Sequence, residues 1–246
     1  ADSGGRFIGS YGGPNLTAIM LEVSIPIACI YSFVKEIKYR FILGVITLAG
    51  LVLLALTESR GAWLGMLGGM FVTLMTYLYS YVPKAKKKLY VIGAIVAIAL
   101  VACITIVGIV SQVQRAYDME RVLMWISAYH MWQDHMLAGV GIGNYSHYYV
   151  THYASPFAKE LQHSHCHNTI LFLLASTGII GTLGYIILMV SVLKSSLQSF
   201  VQHINKPLSL LVLWITVSII IHGIVDLGFM QKEVMFLYFA TIGVYS

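Results

Sequence analysis

His163-Ser-His-Cys-His-Asn-Thr-Ile-Leu-Phe-Leu-Leu-Ala-Ser-Thr-Gly-Ile-Ile-Gly-Thr182 opens with three histidines, a cysteine and an asparagine, then passes without a break into an apolar segment. Nowhere else does the chain set so much titratable chemistry at the mouth of a run fit for a membrane helix. Ionisable groups at membrane depth are costly, and by default they mark a functional site. His167 is therefore the expected centre of a site on the outer face of a membrane, with Arg6, Arg60 and Arg121 converging on it.

The surroundings of that stretch have the same character. Of 246 residues, 58% are apolar and 10% charged, and mean hydropathy is +0.80; a soluble domain averages about 25% charged. The composition is that of a membrane protein. At about 20 apolar residues per spanning helix, the chain has room for roughly seven spans and their loops. The expected fold is all-α, a polytopic transmembrane helical bundle forming one membrane domain over 1–246. The net charge of +5 reads as basic cytoplasmic loops and not as a nucleic-acid surface. Three scattered cysteines imply no disulfide framework; Cys29 and Cys103 sit in apolar runs and read as small buried hydrophobes. The first residues carry neither an initiator Met nor a signal-peptide pattern, so the expectation is the later part of a longer protein.

In order, the apolar runs are Pro14–Val34 (interrupted only by Glu22), Phe41–Thr57, Gly61–Val82, Leu89–Val110, Asn168–Leu193 and Pro207–Val225, with a seventh begun at Val234 and cut short at Ser246. Glu58-Ser59-Arg60 leaves so little chain between the second and third that they must form a tight helical hairpin. A long mixed segment, 111–167, precedes the fifth. Within it, residues 120–132 show apolar Leu123, Ile126 and Met131 among aromatics, the spacing of an amphipathic interfacial helix. Gly139-Val-Gly-Ile-Gly143 ends that helix in a loop.

Because spans alternate sides, the loops fall into two sets. Segments 35–40, 83–88 and 194–206 hold nine Lys or Arg and one acid. The N-terminal segment, 58–60, 111–167 and 226–233 together hold six Lys or Arg and eight acids. Basic residues in short loops mark the cytoplasmic side, so the second set faces outward. That sorting, made on charge alone, puts Arg6, Arg60, Arg121, His167 and Asp226 on one side.

Each candidate has a plain alternative. Arg60 either presents a fixed guanidinium to an anion, which it binds bidentately and with permanent charge, or snorkels to Glu58 and headgroups. Arg121 follows two acids and also fits a surface salt bridge. Arg6 sits in a Gly-rich approach to the first span. His167 suits a general base near neutral pH or a helix cap, and Asn168 would orient the substrate or the imidazole. Asp226 either positions an arginine or His167, or is a surface acid. The set His163, His165, Cys166 and His167 also offers zinc-type ligands, although its crowding does not match the paired spacing of structural zinc sites. Gly139-x-Gly-x-Gly lacks the βαβ context of a nucleotide loop.

Together these residues resemble the O-antigen ligase and polymerase superfamily. Thr57-Glu-Ser-Arg60-Gly-Ala-Trp resembles its arginine turn between helices. Glu120-Arg121 through Trp125, then Asp134 through Gly141-Ile-Gly-Asn144-Tyr, resembles its second arginine motif and glycine loop. His167-Asn168 followed by Gly178-Ile-Ile-Gly181-Thr182 resembles its His-Asn…Gly-x-x-Gly signature, and Arg6 through Pro14-Asn15 the approach to its central helices. The resemblance implies a glycosyltransferase of a bacterial inner membrane, with its active site facing the periplasm and no cofactor or metal. The implied donor is a glycan on undecaprenyl diphosphate, and for a ligase the acceptor is a sugar hydroxyl of lipid A–core; membrane lipids are the remaining partners. Arg60 and Arg121 would hold the diphosphate, with Arg6, Asn168 and Asp226 assisting, and His167 would activate the acceptor hydroxyl for an inverting attack. Two readings stand beside it: a polymerase or protein O-oligosaccharyltransferase using the same donor, and a membrane transporter.

Overall fold

Inside a bilayer no water satisfies the backbone, so an apolar run must pair its amides internally, and a helix does so within one segment. In the computed structural model every regular element among the described residues is helical. Those residues are 5–10, 12–34, 36–95, 116–159, 161 and 163–245. Helix α1 is Pro14–Val34, α2 Ile37–Leu56, α3 Arg60–Tyr79, α4 covers 87–95, α5 is Ala116–Asp134, α6 Tyr145–Tyr148, α7 Thr169–Val201, α8 Lys206–His222 and α9 Lys232–Tyr245. Most of the expected fourth run, with Cys103 and Arg115, lies outside the described residues. Helices α1, α2, α3 and α7 are each long and apolar enough to cross a membrane, and α8 is apolar but shorter. This is a multi-pass membrane protein.

The chain divides into two units, residues 1–74 with 184–246, and residues 75–183. In the first unit α8 is the central helix, buried nearly all round. Leu211, Ile215 and Ile219 of α8 meet Ile19 and Val23 of α1 and Val234 of α9. On its other side, Trp214 packs with Ala18, Leu54, Ala62 and Met66. Helix α3 approaches α8 closely because Gly61, Gly65 and Gly69 face it. A methyl on Gly61 would sit 2.7 Å from His222 Cδ2, and one on Gly69 2.6 Å from the Trp214 carbonyl. Small residues at four-residue spacing let membrane helices touch backbone to backbone. Two hydrogen bonds close the seam: Trp214 Nε1 donates to the Met66 carbonyl (3.1 Å) and Ser218 Oγ to that of Gly65 (2.9 Å). Helix α2 is the opposite case, with Phe41, Val45, Leu48 and Val52 exposed, the face of a helix suited to lipid.

In the second unit α5 matches the expected amphipathic helix, yet its buried stripe is Met124, Ser127, Ala128 and Met131, while Ile126 is exposed. The Ser127 hydroxyl donates to the Tyr153 carbonyl (2.7 Å), which selects that face.

Three expectations need correction. The fifth run does not pass unbroken: α7 is interrupted at Gly178, whose φ of 64° and ψ of −165° are not helical. It also extends to Val201, so much of the expected polar link 194–206 is helical. Thirty-three residues would make about 50 Å of unbroken helix, well over the ~30 Å of hydrocarbon. The stretch 179–201 is long enough to span alone. Cys29 is half-buried and not fully enclosed.

Candidate functional site

The first unit gathers Arg6, Arg60 and Asp226 at one end. The chain leaves α2 through Thr57, whose hydroxyl donates to the Leu54 carbonyl (2.7 Å), and turns at Glu58, whose φ is 53°. Ser59 then starts α3, its carbonyl accepting from Trp63 N–H (3.2 Å). This is the tight hairpin expected from Glu58-Ser59-Arg60, and it leaves Arg60 exposed on the first turn of α3. The residue after Arg6, Phe7, donates its N–H to the Leu56 carbonyl at the end of α2 (2.8 Å). Gly61 lies against His222 and Val225 at the end of α8. There Asp226 is buried, accepting from Asn15 Nδ2 (2.7 Å) and from the Leu227 N–H (2.7 Å). Burial overturns the surface-acid alternative for Asp226: it ties the start of α1 to the end of α8.

Arg121, His167 and Asn168 all lie in the second unit. Asn168 caps α7, its Oδ1 accepting from the Leu171 N–H (2.9 Å), the usual cap-to-third-residue bond. Capping therefore falls to Asn168 and not to His167. His167 precedes it with φ at 52° and donates its N–H to His165 Nδ1 (3.2 Å), which leaves the neutral His165 ring protonated on Nε2. The His167 ring centroid is 4.4 Å from that of His165 and 6.0 Å from that of His163. Cys166 turns away from this imidazole group. It is fully buried, with Sγ on the Asn168 carbonyl at 3.5 Å. Beside it, burial raises the Tyr145 phenol above its ordinary range and the Cys166 thiol adds to the rise. Tyr149 stacks with Tyr145 and meets His163 edge-on at 6.3 Å. Its phenol is raised by burial and by the Glu120 carboxylate. Glu120, next to Arg121, accepts from the Lys159 N–H (2.9 Å). Tyr149 thus links the first turns of α5 to the histidine loop.

The break in α7 holds this loop in place. Unbroken, α7 would pair Ile179 N–H with the Ala175 carbonyl and Ile180 N–H with that of Ser176. Instead Val140 and Gly141 donate to Ala175 and Ser176 (2.9 and 2.8 Å), and Ile179 and Ile180 donate to Met136 and Leu137 (2.8 and 3.3 Å). The chain after α5 is spliced into the helix. Contact this close requires glycine: a side chain on Gly139 would strike the Ser176 backbone, and one on Gly178 the Leu137 carbonyl. The Gly139-x-Gly motif is a helix-docking device.

The model of the O-antigen ligase family matches residues 25–186, about two thirds of the chain. The chain belongs to the O-antigen ligase family. It is also similar to a teichuronic acid biosynthesis protein of Bacillus subtilis (strain 168), at 27% identity over 173 residues, 63% of this chain and 34% of the relative. The chain thus spans about a third of that relative's length. The family match takes in Arg60, Arg121, His167, Asn168 and the Gly178–Gly181 pair, and leaves Arg6 and Asp226 outside.

Sequence reasoning missed the seam of Gly61, Gly65 and Gly69 and the partner of Glu22. The glycine spacing was a usable signal. For Glu22, His222 Nδ1 stands 2.6 Å from its Oε2, both side chains fully buried. Nothing local in either helix announces that pairing, since the two residues are 200 positions apart.

Proposed function

We propose that this chain is the catalytic part of an inverting, lipid-diphosphate-dependent glycosyltransferase of the ligase type, set in a bacterial inner membrane with its site toward the periplasm. The donor is a glycan on undecaprenyl diphosphate and the acceptor a sugar hydroxyl, that of lipid A–core in the ligase reading. The family match across Arg60, Arg121 and His167 carries this proposal.

His167 takes the proton of the acceptor hydroxyl as its oxygen attacks the anomeric carbon. The bond from that carbon to the diphosphate breaks, and undecaprenyl diphosphate leaves. Negative charge builds on the phosphate oxygens, where preorganised cations lower the barrier most. Arg60 and Arg121 supply that charge, with Arg6 assisting, and Asp226 ties the start of α1 to the end of α8. Asn168 fixes the start of α7 and so the backbone of its neighbour His167. Because arginine charge serves the leaving group, the reaction runs without a divalent cation.

The test is transfer from purified undecaprenyl-diphosphate glycan by the full-length protein, wild type and His167→Ala, with EDTA. Acceptors are lipid A–core or a second donor molecule. Transfer to lipid A–core that survives EDTA and is lost in the variant supports the reading; undiminished transfer by His167→Ala sinks the general base.

A second reading is favoured by the relative named for teichuronic acid biosynthesis. In this reading the same donor chemistry lengthens a glycan polymer, and the same assay would show a longer donor glycan with lipid A–core untouched.

A further inference from the structure

The first unit encloses a carboxyl–imidazole pair that the proposed chemistry does not use. Glu22 of α1 and His222 of α8 are both fully buried, with Oε2 and Nδ1 2.6 Å apart. Glu22 Oε1 meets no hydrogen-bond donor among the described residues. It is pressed instead against Gly65 of α3, where a methyl would run into it. The other half of the pair supports the same helix one turn earlier: a methyl on Gly61 would sit 2.7 Å from His222 Cδ2 and 2.9 Å from Nε2. Helix α3 therefore rests directly on the pair at two successive turns. The lower of those contacts is at the residue next to Arg60.

Stability does not explain such a pair. Burying a carboxyl and an imidazole together carries a desolvation cost, and apolar residues of similar size commonly leave a protein as stable or more so. A buried pair of defined geometry does fix how helices register. The Asn15–Asp226 bond is a second polar tie between α1 and α8, two turns from Glu22 along α1. The two ties leave α1 and α8 one mutual register, and α3 takes its position from both.

We propose that Glu22 and His222 are positioning residues for Arg60: they seat the first turn of α3 and so set where its guanidinium stands. This rests on the reading that Arg60 binds the donor diphosphate.

The experiment is donor titration with the full-length protein in vesicles, with thermal midpoints measured in parallel. Four forms are compared: wild type, Arg60→Ala, Glu22→Met with His222→Leu, and Glu22→Gln. The double variant should keep its midpoint and show a donor KM raised about tenfold with kcat within about twofold, the pattern of lost binding. Glu22→Gln keeps an oxygen for His222 and should return KM to within about threefold of wild type. A purely structural role would move the midpoint and leave KM in the folded fraction unchanged. Wild-type KM in the double variant beside a raised KM in Arg60→Ala overturns this inference alone. Wild-type KM in Arg60→Ala overturns the role of Arg60, and the positioning role with it. Should the double variant fail to fold, Gly61→Ala decides the matter, since it pushes the first turn of α3 off His222 with the pair intact. A raised KM supports the proposal and a wild-type KM overturns it.

Discussion

Asn168 and His167 are adjacent, yet the backbone gives them different work. Asn168 closes the N-terminus of α7 with the bond to Leu171, so Asn168→Ala should cost about 1 kcal/mol and lower the thermal midpoint. Asn168→Asp or Asn168→Ser should restore it, because each offers a capping oxygen. Asp226→Ala removes the acceptor of Asn15 Nδ2 and of the Leu227 N–H. Leaving buried donors unmet costs about 1–3 kcal/mol each, which denaturation in detergent would register as a loss larger than that of Asn168→Ala. Arg60→Lys keeps the charge but not the fork, and a bidentate diphosphate contact would not survive it; donor KM should rise several-fold. At this scale the sequence was legible where chemistry concentrates. The histidines at the mouth of a helix and the arginine just after a short interhelical turn stand out by type alone. Burial does not: Asp226 looks like any loop acid until α1 closes over it.

Among the elements, the hairpin of α2 and α3 and the extent of α1 could be read from hydropathy, because a membrane solvent demands long apolar runs. The break in α7 could not. Its apolar pattern continues smoothly through Gly178, and what interrupts it is four hydrogen bonds to another segment, which periodicity does not encode. Gly178 lies in a backbone region open essentially to glycine alone. Gly178→Ala adds a clash with Leu137, so a loss of about 2–5 kcal/mol is expected. Gly181→Ala changes no special dihedral, and its nearest neighbour is the Thr177 side chain of the same helix. It should cost less, and comparing the two midpoints checks the assignment of the break.

For the molecule as a whole, sidedness rests on charge. On the charge reading, the loop with Lys84, Lys86, Lys87 and Lys88 would face the cytoplasm and the Glu58 turn would face outward. A cysteine placed at Lys86 in a cysteine-free background should be labelled by an impermeant reagent only after cells are opened to the cytoplasmic side. One placed at Glu58, exposed in its turn, should be labelled from outside. Labelling of both from one side would overturn the topology and, with it, the outward-facing site. The count of spans was the least legible feature: α8 is apolar throughout but, at 17 residues, shorter than the usual spanning length.

The splice between the chain after α5 and the broken helix α7 has a dynamic consequence. Val140 and Gly141 belong to a loop by their backbone angles, but their amides end on α7 carbonyls and cannot open unless the helix does. In hydrogen–deuterium exchange this loop should therefore be as protected as its host helix, taking up deuterium together with residues 175–180 as one cooperative unit. The exposed segment around Phe157, later in the chain, should exchange faster than this unit.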